Sequence, residues 1–188
     1  MTFDLDKKNI LGKIDKSKKG EIDEGVQEIV DIINSKENYY TTSSCSGRII
    51  LIEIPESWKK DESKWLLITH SKTDLAEIKK ALKSKEDIWL KQEGAIFHVC
   101  CRTLEDAEKL IIAAKDSGFK RTGMIMVDKR FVVEIISTEN ISTIIAKKGK
   151  ILVDDAYLSV LINECNAKMD RNKEKIGKFI YSLKNKLF

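Results

Sequence analysis

Residues 39–55 read YYTTSSCSGRIILIEIP, and the two halves of this stretch differ in character. The first half, residues 39–47, is small and rich in hydroxyl groups, which predicts a polar loop between a helix and a strand. The second half, residues 48–54, is rich in isoleucine and predicts a strand, which ends at Pro55, the only proline in the chain. A hydroxyl-rich loop that leads into a strand is the feature around which the other predicted elements are arranged.

Helices and strands interleave on both sides of this stretch. Apolar residues at helical spacing predict a helix over residues 5–19 that Gly20 stops, and a second helix that Asp23 caps. The patterns that follow predict, in order, a strand at 65–70, a helix at 75–82 capped by Asp74, a hairpin of 88–92 with 95–101, a helix at 104–115, two strands joined by a turn at 128–130, a hairpin turning at Gly149, and one long helix from Asp154 onward.

This order of elements is not a regular βαβ alternation. It predicts an α+β fold with a mixed, largely antiparallel sheet, N-terminal helices and a long C-terminal helix, and not a Rossmann fold. The length of 188 residues suits a single domain over residues 1–188. His70 and His98 each lie at or near a strand end and precede a helix start within about six residues, which suggests an internal duplication with repeats at about 39–118 and 119–188.

The composition excludes several classes of protein. A hydrophobic fraction of 42% argues against disorder, and the lack of a long apolar run or a signal peptide predicts a cytoplasmic protein that does not enter a membrane. Four scattered cysteines and two histidines match neither a disulfide framework nor a metal cage, so no metal is expected. Abundant Lys and Glu with only two glutamines is typical of proteins from hot environments.

The hydroxyl-rich loop and the two histidines are the candidates for chemistry. Hydroxyls and a glycine let a polar ligand approach the main chain, and Arg48 is suited to a carboxylate or a phosphate. The alternative for the loop is a connection without a ligand. His70 and His98 are either proton acceptors or strand histidines with satisfied nitrogens. Cys45 is either an activated thiolate or an inert, buried thiol.

Basic residues are the candidates for nucleic-acid binding, which a net charge of +4 permits. They cluster at residues 7–19, 147–150 and 168–186, where they are either solvated surface or one basic face for RNA. Lys120 and Arg121 follow Phe119, and a neighbouring aromatic ring strengthens that site as an RNA contact. Tyr39, Tyr40 and Phe119 are the aromatic side chains on which we expect an extruded base to stack.

Several motifs together resemble one family. They are, in chain order, YYTTSSCSGRI, WLLITH, IWLK, IFHVCCR, GFKRTG and EIIST. These motifs resemble the methyltransferase family of wybutosine synthesis, which methylates N4 of 4-demethylwyosine derivatives at position 37 of phenylalanine tRNA. The resemblance covers roughly residues 26–178, and the short chain looks like the stand-alone archaeal form.

The resemblance implies a single methyltransferase domain that uses S-adenosylmethionine without a Rossmann fold, and that acts on the anticodon loop of tRNA-Phe. The chain indeed has no G-x-G-x-x-G loop after a strand. The positions that match the family are Ser43, Ser44, Cys45, Ser46, Gly47, Arg48, His70, His98, Arg102, Ser137 and Thr138. We expect His70 and His98 to be catalytic and the others to bind donor or substrate. The expected RNA-binding residues are Lys120, Arg121, Lys148 and Lys150.

Two other functions remain open from the residues alone. One is a non-catalytic tRNA-binding module, in which the hydroxyl-rich loop reads RNA and binds no methyl donor. The other is a thiol-dependent enzyme that uses Cys45 as its nucleophile.

Overall fold

The computed structural model describes residues 2–12, 23–59 and 61–187. The helices are α1 (Phe3–Leu11), α2 (Gln27–Ser35), α3 (Leu75–Ala81), α4 (Leu104–Asp116) and α5 (Asp155–Ser182). The strands are β1 (Tyr39–Cys45), β2 (Arg48–Ile54), β3 (Lys64–Thr69), β4 (Asp87–Glu93), β5 (Ile96–Cys101), β6 (Arg121–Met126), β7 (Phe131–Ile136), β8 (Ile141–Lys147) and β9 (Lys150–Ile151). A 3₁₀ turn (Glu24–Val26) precedes α2, and a π turn (Leu183–Leu187) follows α5.

The strands form two antiparallel sheets, which confirms the predicted α+β class. One sheet has the order β1-β5-β7-β6, and the other has the order β3-β2-β4-β8-β9. The first sheet belongs to a compact first unit made of Met1–Ser46, Ala95–Thr138 and Lys173–Phe188. The second sheet belongs to a second unit made of Gly47–Gly94 and Glu139–Asn172. Each unit is therefore drawn from alternate stretches of the chain, and the repeats predicted at about 39–118 and 119–188 stay a prediction.

Most predicted elements are confirmed with their caps. Asp74 caps α3 by accepting a hydrogen bond from the Glu77 N–H, and Asp23 does the same for the turn before α2. The hairpin at Gly149, the turn at 128–130 and the long C-terminal helix are also present. Helix α1 ends at Leu11, and the predicted helix stop at Gly20 lies outside the described residues. No helix in the described ranges is long and apolar enough to cross a membrane.

The predicted loop at residues 39–47 is wrong, because most of it is strand β1. Its first two residues, Tyr39 and Tyr40, are 4% and 1% exposed and lie opposite Cys101 and Cys100 of β5. Burial of these two rings and the ladder of hydrogen bonds to β5 outweigh the weak strand preference of the serines that follow. The polar segment therefore forms an edge strand of the first sheet.

The predicted hairpin of residues 88–92 with 95–101 is also wrong. Strand β4 pairs with β2 and β8, whereas β5 pairs with β1 and β7, so the two belong to different sheets. Each strand buries one apolar face in its own core: Ile88 and Leu90 in the second unit, and Phe97 and Val99 in the first. A short link containing Gly94 permits a hairpin, but burial on separate cores decides the pairing.

The first unit has a core of helix and sheet side chains that is centred on three phenylalanines. The rings of Phe97, Phe119 and Phe179 are fully buried, with centroids 5.7–6.1 Å apart. They come from β5, from the segment after α4, and from the last part of α5. On the opposite face of the same sheet, Phe3 and Ile10 of α1 pack on Tyr40, Cys100 and Val132. Among the described residues, this second layer covers the end of that face where Tyr40 and Cys100 lie.

The second unit has its own core, on one face of the five-stranded sheet. Ile49 and Leu51 of β2 and Leu90 of β4 are fully buried there. Helix α3 contributes Ile78, and the first part of α5 contributes Leu158, Leu161, Ile162, Cys165 and Met169. Both helices therefore pack on the same face of this sheet.

Candidate functional site

A row of polar side chains crosses the first sheet from β1 to β7. Ser43 lies opposite His98 of β5, and His98 lies opposite Glu134 of β7. Because Phe97 and Val99 on either side of His98 point into the core, alternation along β5 places His98 on the other face. Gly123 of β6 lies beside Glu134, and a Cβ there would meet nothing within 4 Å, so the row has open space next to it.

An irregularity in β1 determines which hydroxyl lies opposite His98. Thr41 pairs with Val99 and Ser43 pairs with His98, so Thr42 is an additional residue at this point of the ladder. Without that bulge, Thr42 would lie opposite His98. The bulge instead directs Ser43 onto the histidine, while the Thr42 hydroxyl donates to the His98 carbonyl at 3.4 Å.

Hydrogen bonds within this row indicate which tautomer the neutral imidazole adopts. His98 Nε2 lies 3.0 Å from Glu134 Oε1, and His98 Nδ1 lies 2.6 Å from Ser43 Oγ. An ionised carboxylate only accepts hydrogen bonds, so Nε2 carries the proton of the neutral ring and Nδ1 carries the lone pair. The Ser43 hydroxyl therefore donates to Nδ1. A histidine base with an exposed serine on one side and a carboxylate on the other is suited to accept a proton through the hydroxyl.

Asp23, which lies just before the turn that leads into α2, accepts hydrogen bonds from Ser46 at the end of β1. The Ser46 N–H donates to Asp23 Oδ2 at 2.9 Å, and the Ser46 hydroxyl donates to the same oxygen. The side chains of Ser44 and Cys45 lie between this anchor and Ser43 and are half-buried, opposite Phe97 and Ile96. The anchor holds the serine-rich strand end in one position.

Gly47 and His70 lie together in the second unit. The Gly47 backbone has φ of 95°, and a Cβ there would lie 2.7 Å from the Glu93 carbonyl oxygen. Only glycine adopts this conformation without strain at such close contact. The Gly47 carbonyl oxygen lies 2.9 Å from His70 Nδ1, and because a carbonyl only accepts, Nδ1 of His70 carries the ring proton. His70 and His98 therefore have opposite tautomers.

Arg48 is held by two neighbours on the same face of the second sheet. Its Nε donates to Glu93 Oε2 at 2.8 Å, and its guanidinium carbon lies 4.6 Å from the centre of the Trp65 ring. These contacts fix the plane of the guanidinium and leave its two Nη groups without a hydrogen bond to any described residue. A planar pair of donors is the arrangement that binds a carboxylate or a phosphate with two hydrogen bonds.

Ser137 and Thr138 directly follow β7 in the first unit. The Ser137 N–H donates to the Ala95 carbonyl at 2.8 Å, and Ser137 is 4% exposed. The exposed Thr138 accepts a hydrogen bond from Lys175 Nζ at 3.1 Å. Both residues thus lie at the end of the strand that carries Glu134, and their role in donor or substrate binding stays a prediction.

Arg102 has partners on the N-terminal side of the first sheet. Its Nε donates to Asn38 Oδ1 at 2.9 Å, its Nη groups pair with Asp4, and its guanidinium lies 4.5 Å from the centre of the Phe3 ring. Hydrogen bonding to Arg102 lowers the pKa of the Asp4 carboxyl. These contacts connect α1 to the sheet, and the predicted role of Arg102 in ligand binding stays a prediction.

The buried thiols are poorly suited to nucleophilic chemistry. Burial raises the pKa of the Cys100, Cys101 and Cys165 thiols, that of Cys165 to about 11. A thiol attacks only as the thiolate, which a raised pKa makes scarce at neutral pH. Of the four cysteines only Cys45 is partly accessible.

The prediction that Tyr39, Tyr40 and Phe119 stack on RNA is wrong. Tyr39, Tyr40 and Phe119 are at most 4% exposed and belong to the cores of the first unit. Their ring faces are taken by protein neighbours because the strand and the helix end that carry them face inward. The exposed large aromatic side chains of the second unit are Trp58, Trp65 and Tyr157.

The predicted RNA-binding cations are all at the surface, two in each unit. Lys120 donates to the Lys115 carbonyl at 2.9 Å, and Arg121 is exposed at the start of β6. Lys148 pairs with Glu56 at 3.3 Å, and Lys150 is exposed at the start of β9. Their contact with RNA stays a prediction.

Sequence reasoning missed Glu134, Trp58 and Trp65 as candidate site residues. A signal for Glu134 was present, because it is the single charge in the apolar run FVVEII of β7. Its partner could not be found without the pairing of β7 with β5. Trp65 was assigned to a strand, but the side of the strand on which it lies depends on a register shift in β3.

Comparisons with known proteins agree on one family. The family model described as "Methyltransferase TYW3" matches residues 5–185. The chain is 39% identical over 183 residues to the tRNA wybutosine-synthesizing protein 3 homolog of Mus musculus, covering 94% of this chain and 71% of that protein. It is 37% identical over 180 residues to the tRNA(Phe) 7-((3-amino-3-carboxypropyl)-4-demethylwyosine(37)-N(4))-methyltransferase of Archaeoglobus fulgidus, covering 95% of this chain and 91% of that one.

Solved structures show the same fold. The PH1069 protein from Pyrococcus horikoshii superimposes with a TM-score of 0.89 at 36% identity, covering 97% of this chain and 96% of that one. A hypothetical protein from Aeropyrum pernix superimposes with a TM-score of 0.75 at 29% identity, covering 86% and 96% of the two chains.

The close backbone contact at Gly47 leads to a prediction about stability. Gly47→Ala should lower the free energy of unfolding by at least ~1–2 kcal/mol, because a Cβ is disfavoured at positive φ and would also contact the Glu93 carbonyl. Gly177→Ala on α5 is the matched control: a Cβ there meets nothing within 4 Å, and we expect a gain of ~0.5–1 kcal/mol. Urea denaturation measures both, and equal effects of the two substitutions would contradict the strain assigned to Gly47.

Proposed function

The chain belongs to the TYW3 family of methyltransferases, and we propose on that basis that it methylates N4 of 7-(3-amino-3-carboxypropyl)-4-demethylwyosine at position 37 of tRNA(Phe), with S-adenosylmethionine as donor. The support for this substrate is the name of the Archaeoglobus relative, with which the chain aligns over nearly its whole length. The reaction takes place on the anticodon loop, whose bases can be extruded without opening a duplex. We place the enzyme in the cytoplasm.

The reaction needs positioning and a proton acceptor. S-adenosylmethionine supplies a methyl group on a positively charged sulfur. The carbon–sulfur bond breaks as the carbon–nitrogen bond forms, the sulfonium becomes a neutral thioether, and N4 loses its proton. Alignment of the two reactants can contribute ~7–11 kcal/mol to lowering the barrier. The residues of this chain then have two tasks, which are to hold both substrates in line and to remove the proton.

The row of Ser43, His98 and Glu134 is the observation that supports proton removal by this chain. The lone pair of His98 Nδ1 faces the Ser43 hydroxyl at 2.6 Å, and that hydroxyl is exposed. In our proposal Ser43 accepts the proton from N4 while it donates its own proton to His98. The imidazolium that results is stabilised by the carboxylate of Glu134, 3.0 Å from Nε2. Glu134 is a positioning residue, because it acts on the substrate only through His98.

Arg48 is suited to the first task. Its Nη groups donate to no described residue and form a planar donor pair, which fits the carboxylate of the donor's methionine moiety or that of the substrate's aminocarboxypropyl group. Both carboxylates belong to the proposed reactants, so the residue suits the chemistry of either. The hydroxyls of Ser43 and Ser44, on strand β1, supply further donors and acceptors in the first unit.

The proposed reaction is tested by the nucleoside at position 37. Mass spectrometry of tRNA(Phe) from a strain without this protein should show a tricyclic nucleoside lighter by one methyl group. Incubation of that tRNA with the purified chain and S-adenosylmethionine should restore the missing methyl. Calorimetry with S-adenosylmethionine alone should show micromolar binding. An unchanged nucleoside together with no donor binding would favour the tRNA-binding module instead.

The assignment of the proton acceptor is tested by three variants. His98→Ala should lower kcat by ~10²–10⁴-fold, because the lone pair that receives the proton is removed. Glu134→Ala should lower kcat by a smaller factor and leave KM for tRNA unchanged, because the histidine remains but is no longer oriented. His70→Ala is the matched control with the other histidine. A loss of rate in His70→Ala but not in His98→Ala would move the assignment to His70.

A further inference from the structure

The outer face of the second sheet carries an unusual set of side chains. Alternation along β2 and β4 places Ile52, Trp89 and Lys91 on the face opposite the core that α3 and α5 cover. Trp65 of β3 lies on the same face, because it is directly opposite Ile52 after the register shift in that strand. Arg48 confirms this side, since its guanidinium lies over the Trp65 ring.

The third tryptophan of the chain adjoins this face. Trp58 lies in the loop after β2, and its ring centroid is 6.2 Å from that of Trp89, with the two planes at 66°. Trp58 is 67% exposed, and Trp65 is 43% exposed. Large aromatic side chains are costly to leave in water, so one exposed ring on the sheet face and a second beside it indicate a binding surface. Trp58 also has a positive φ of 56°, which is uncommon for a bulky residue.

Charge on this face is suited to a polyanion. Lys91 makes no ion pair with any residue in the described ranges, so its ammonium group is available to a ligand. Glu93, the acidic side chain opposite Arg48, already accepts from that arginine. The lysines next to the exposed rings in sequence are already paired with carboxylates, Lys59 with Glu62 and Lys64 with Glu53. Lys91 and Arg48 are therefore the cations that this face offers. Aromatic rings interleaved with cations on a sheet are the arrangement that stacks unpaired bases and neutralises their phosphates.

We propose that the surface formed by Trp58, Trp65 and Lys91 binds unpaired nucleotides of the tRNA anticodon loop by base stacking. The proposal rests on the proposed function, which supplies the RNA partner. Arg48 connects this surface with the proposed reaction, because its guanidinium lies over Trp65 and is also suited to bind a reactant's carboxylate. The surface therefore has a binding task of its own within the second unit, which is to hold unpaired nucleotides of the loop.

Intrinsic fluorescence reports on this surface, because all three tryptophans of the chain lie on it or beside it. A tRNA(Phe) transcript added to the full chain should quench that fluorescence. Trp58→Ala should weaken binding of the transcript by about 5- to 150-fold, which corresponds to the ~1–3 kcal/mol of one stacked base. Tyr181→Ala is the matched control, an aromatic residue 62% exposed on α5, and should bind the transcript as the parent chain does. Lys91→Ala should lower affinity and reduce the slope of its salt dependence by ~0.7–0.9.

Three results would overturn the proposal. Unchanged tRNA affinity in both Trp58→Ala and Trp65→Ala would show that the rings do not stack on RNA. Quenching by S-adenosylmethionine alone, lost in Trp65→Ala, would assign the surface to the adenine of the donor. Self-association of the parent chain that Trp58→Ala abolishes would assign it to a second copy of the chain. Circular dichroism confirms that each variant is folded.

The outcome for this surface is separable from that of the proposed function. If the parent chain methylates tRNA(Phe) and Trp58→Ala has the same affinity and KM, the surface fails and the reaction stands. If Trp58→Ala weakens tRNA binding but the parent chain transfers no methyl group, the surface stands and the reaction fails.

Discussion

The antiparallel pairing of β1 with β5 is the constraint on which the candidate site depends. Tyr39 and Tyr40 bury their rings at one end of β1 and fix its register against Cys101 and Cys100. The bulge at Thr42 then determines that Ser43 lies opposite His98. Two large hydrophobic side chains therefore position a polar group a few residues further along the same strand. Burial of the tyrosine rings at one end of β1 thus fixes the register that places Ser43 at the other end.

The group proposed to accept the proton consists of side chains from three strands, which lie far apart in the sequence. Ser43, His98 and Glu134 are separated by 55 and 36 residues and meet only because β1, β5 and β7 are neighbours in the sheet. Strand pairing supplies the fixed distances that a positioned base needs, without a flexible loop. The Glu134 carboxylate has a distinct role, because it can only accept a hydrogen bond. It therefore orients the imidazole so that the lone pair of Nδ1 faces Ser43. His70 receives the opposite orientation from a backbone carbonyl.

Local patterns in the sequence predicted the helices well, because capping residues and helical spacing act within a few residues. Asp23, Asp74 and the apolar stripe of α5 are examples. Two predictions failed where long-range pairing overrides local preference. The serines of β1 were assigned to a loop because their strand preference is weak, and β4 and β5 were assigned to a hairpin because they are close in sequence. Both outcomes depend on which core buries the alternating apolar face, and that is settled between segments far apart in the chain.

The candidate residues fared similarly. The motif of residues 43–48 pointed to Ser43, Gly47 and Arg48. Two of them have a physical reason: Gly47 has a positive φ, and the Nη groups of Arg48 donate to no described residue. Tyr39 and Tyr40 were chosen because they are close in sequence to that motif, and Phe119 because it precedes Lys120 and Arg121. All three are buried. Trp58 and Trp65 are exposed instead, because a bulge and a turn in the second unit place them outside its core. Exposure of a side chain is a property of the packed sheet, and the hydrophobic pattern alone did not reveal it.

The tautomers of the two histidines test the central claim most directly. The chain contains only two histidines, so nitrogen-15 NMR of histidine-labelled protein, at a pH high enough to keep both rings neutral, resolves four ring nitrogens. The account predicts opposite tautomers. His98 should carry its proton on Nε2, next to Glu134, and His70 should carry its proton on Nδ1, next to the Gly47 carbonyl. In Glu134→Ala the preference of His98 should weaken while that of His70 stays the same. A proton on Nδ1 of His98 in the parent protein would contradict the account, because no lone pair would then face Ser43.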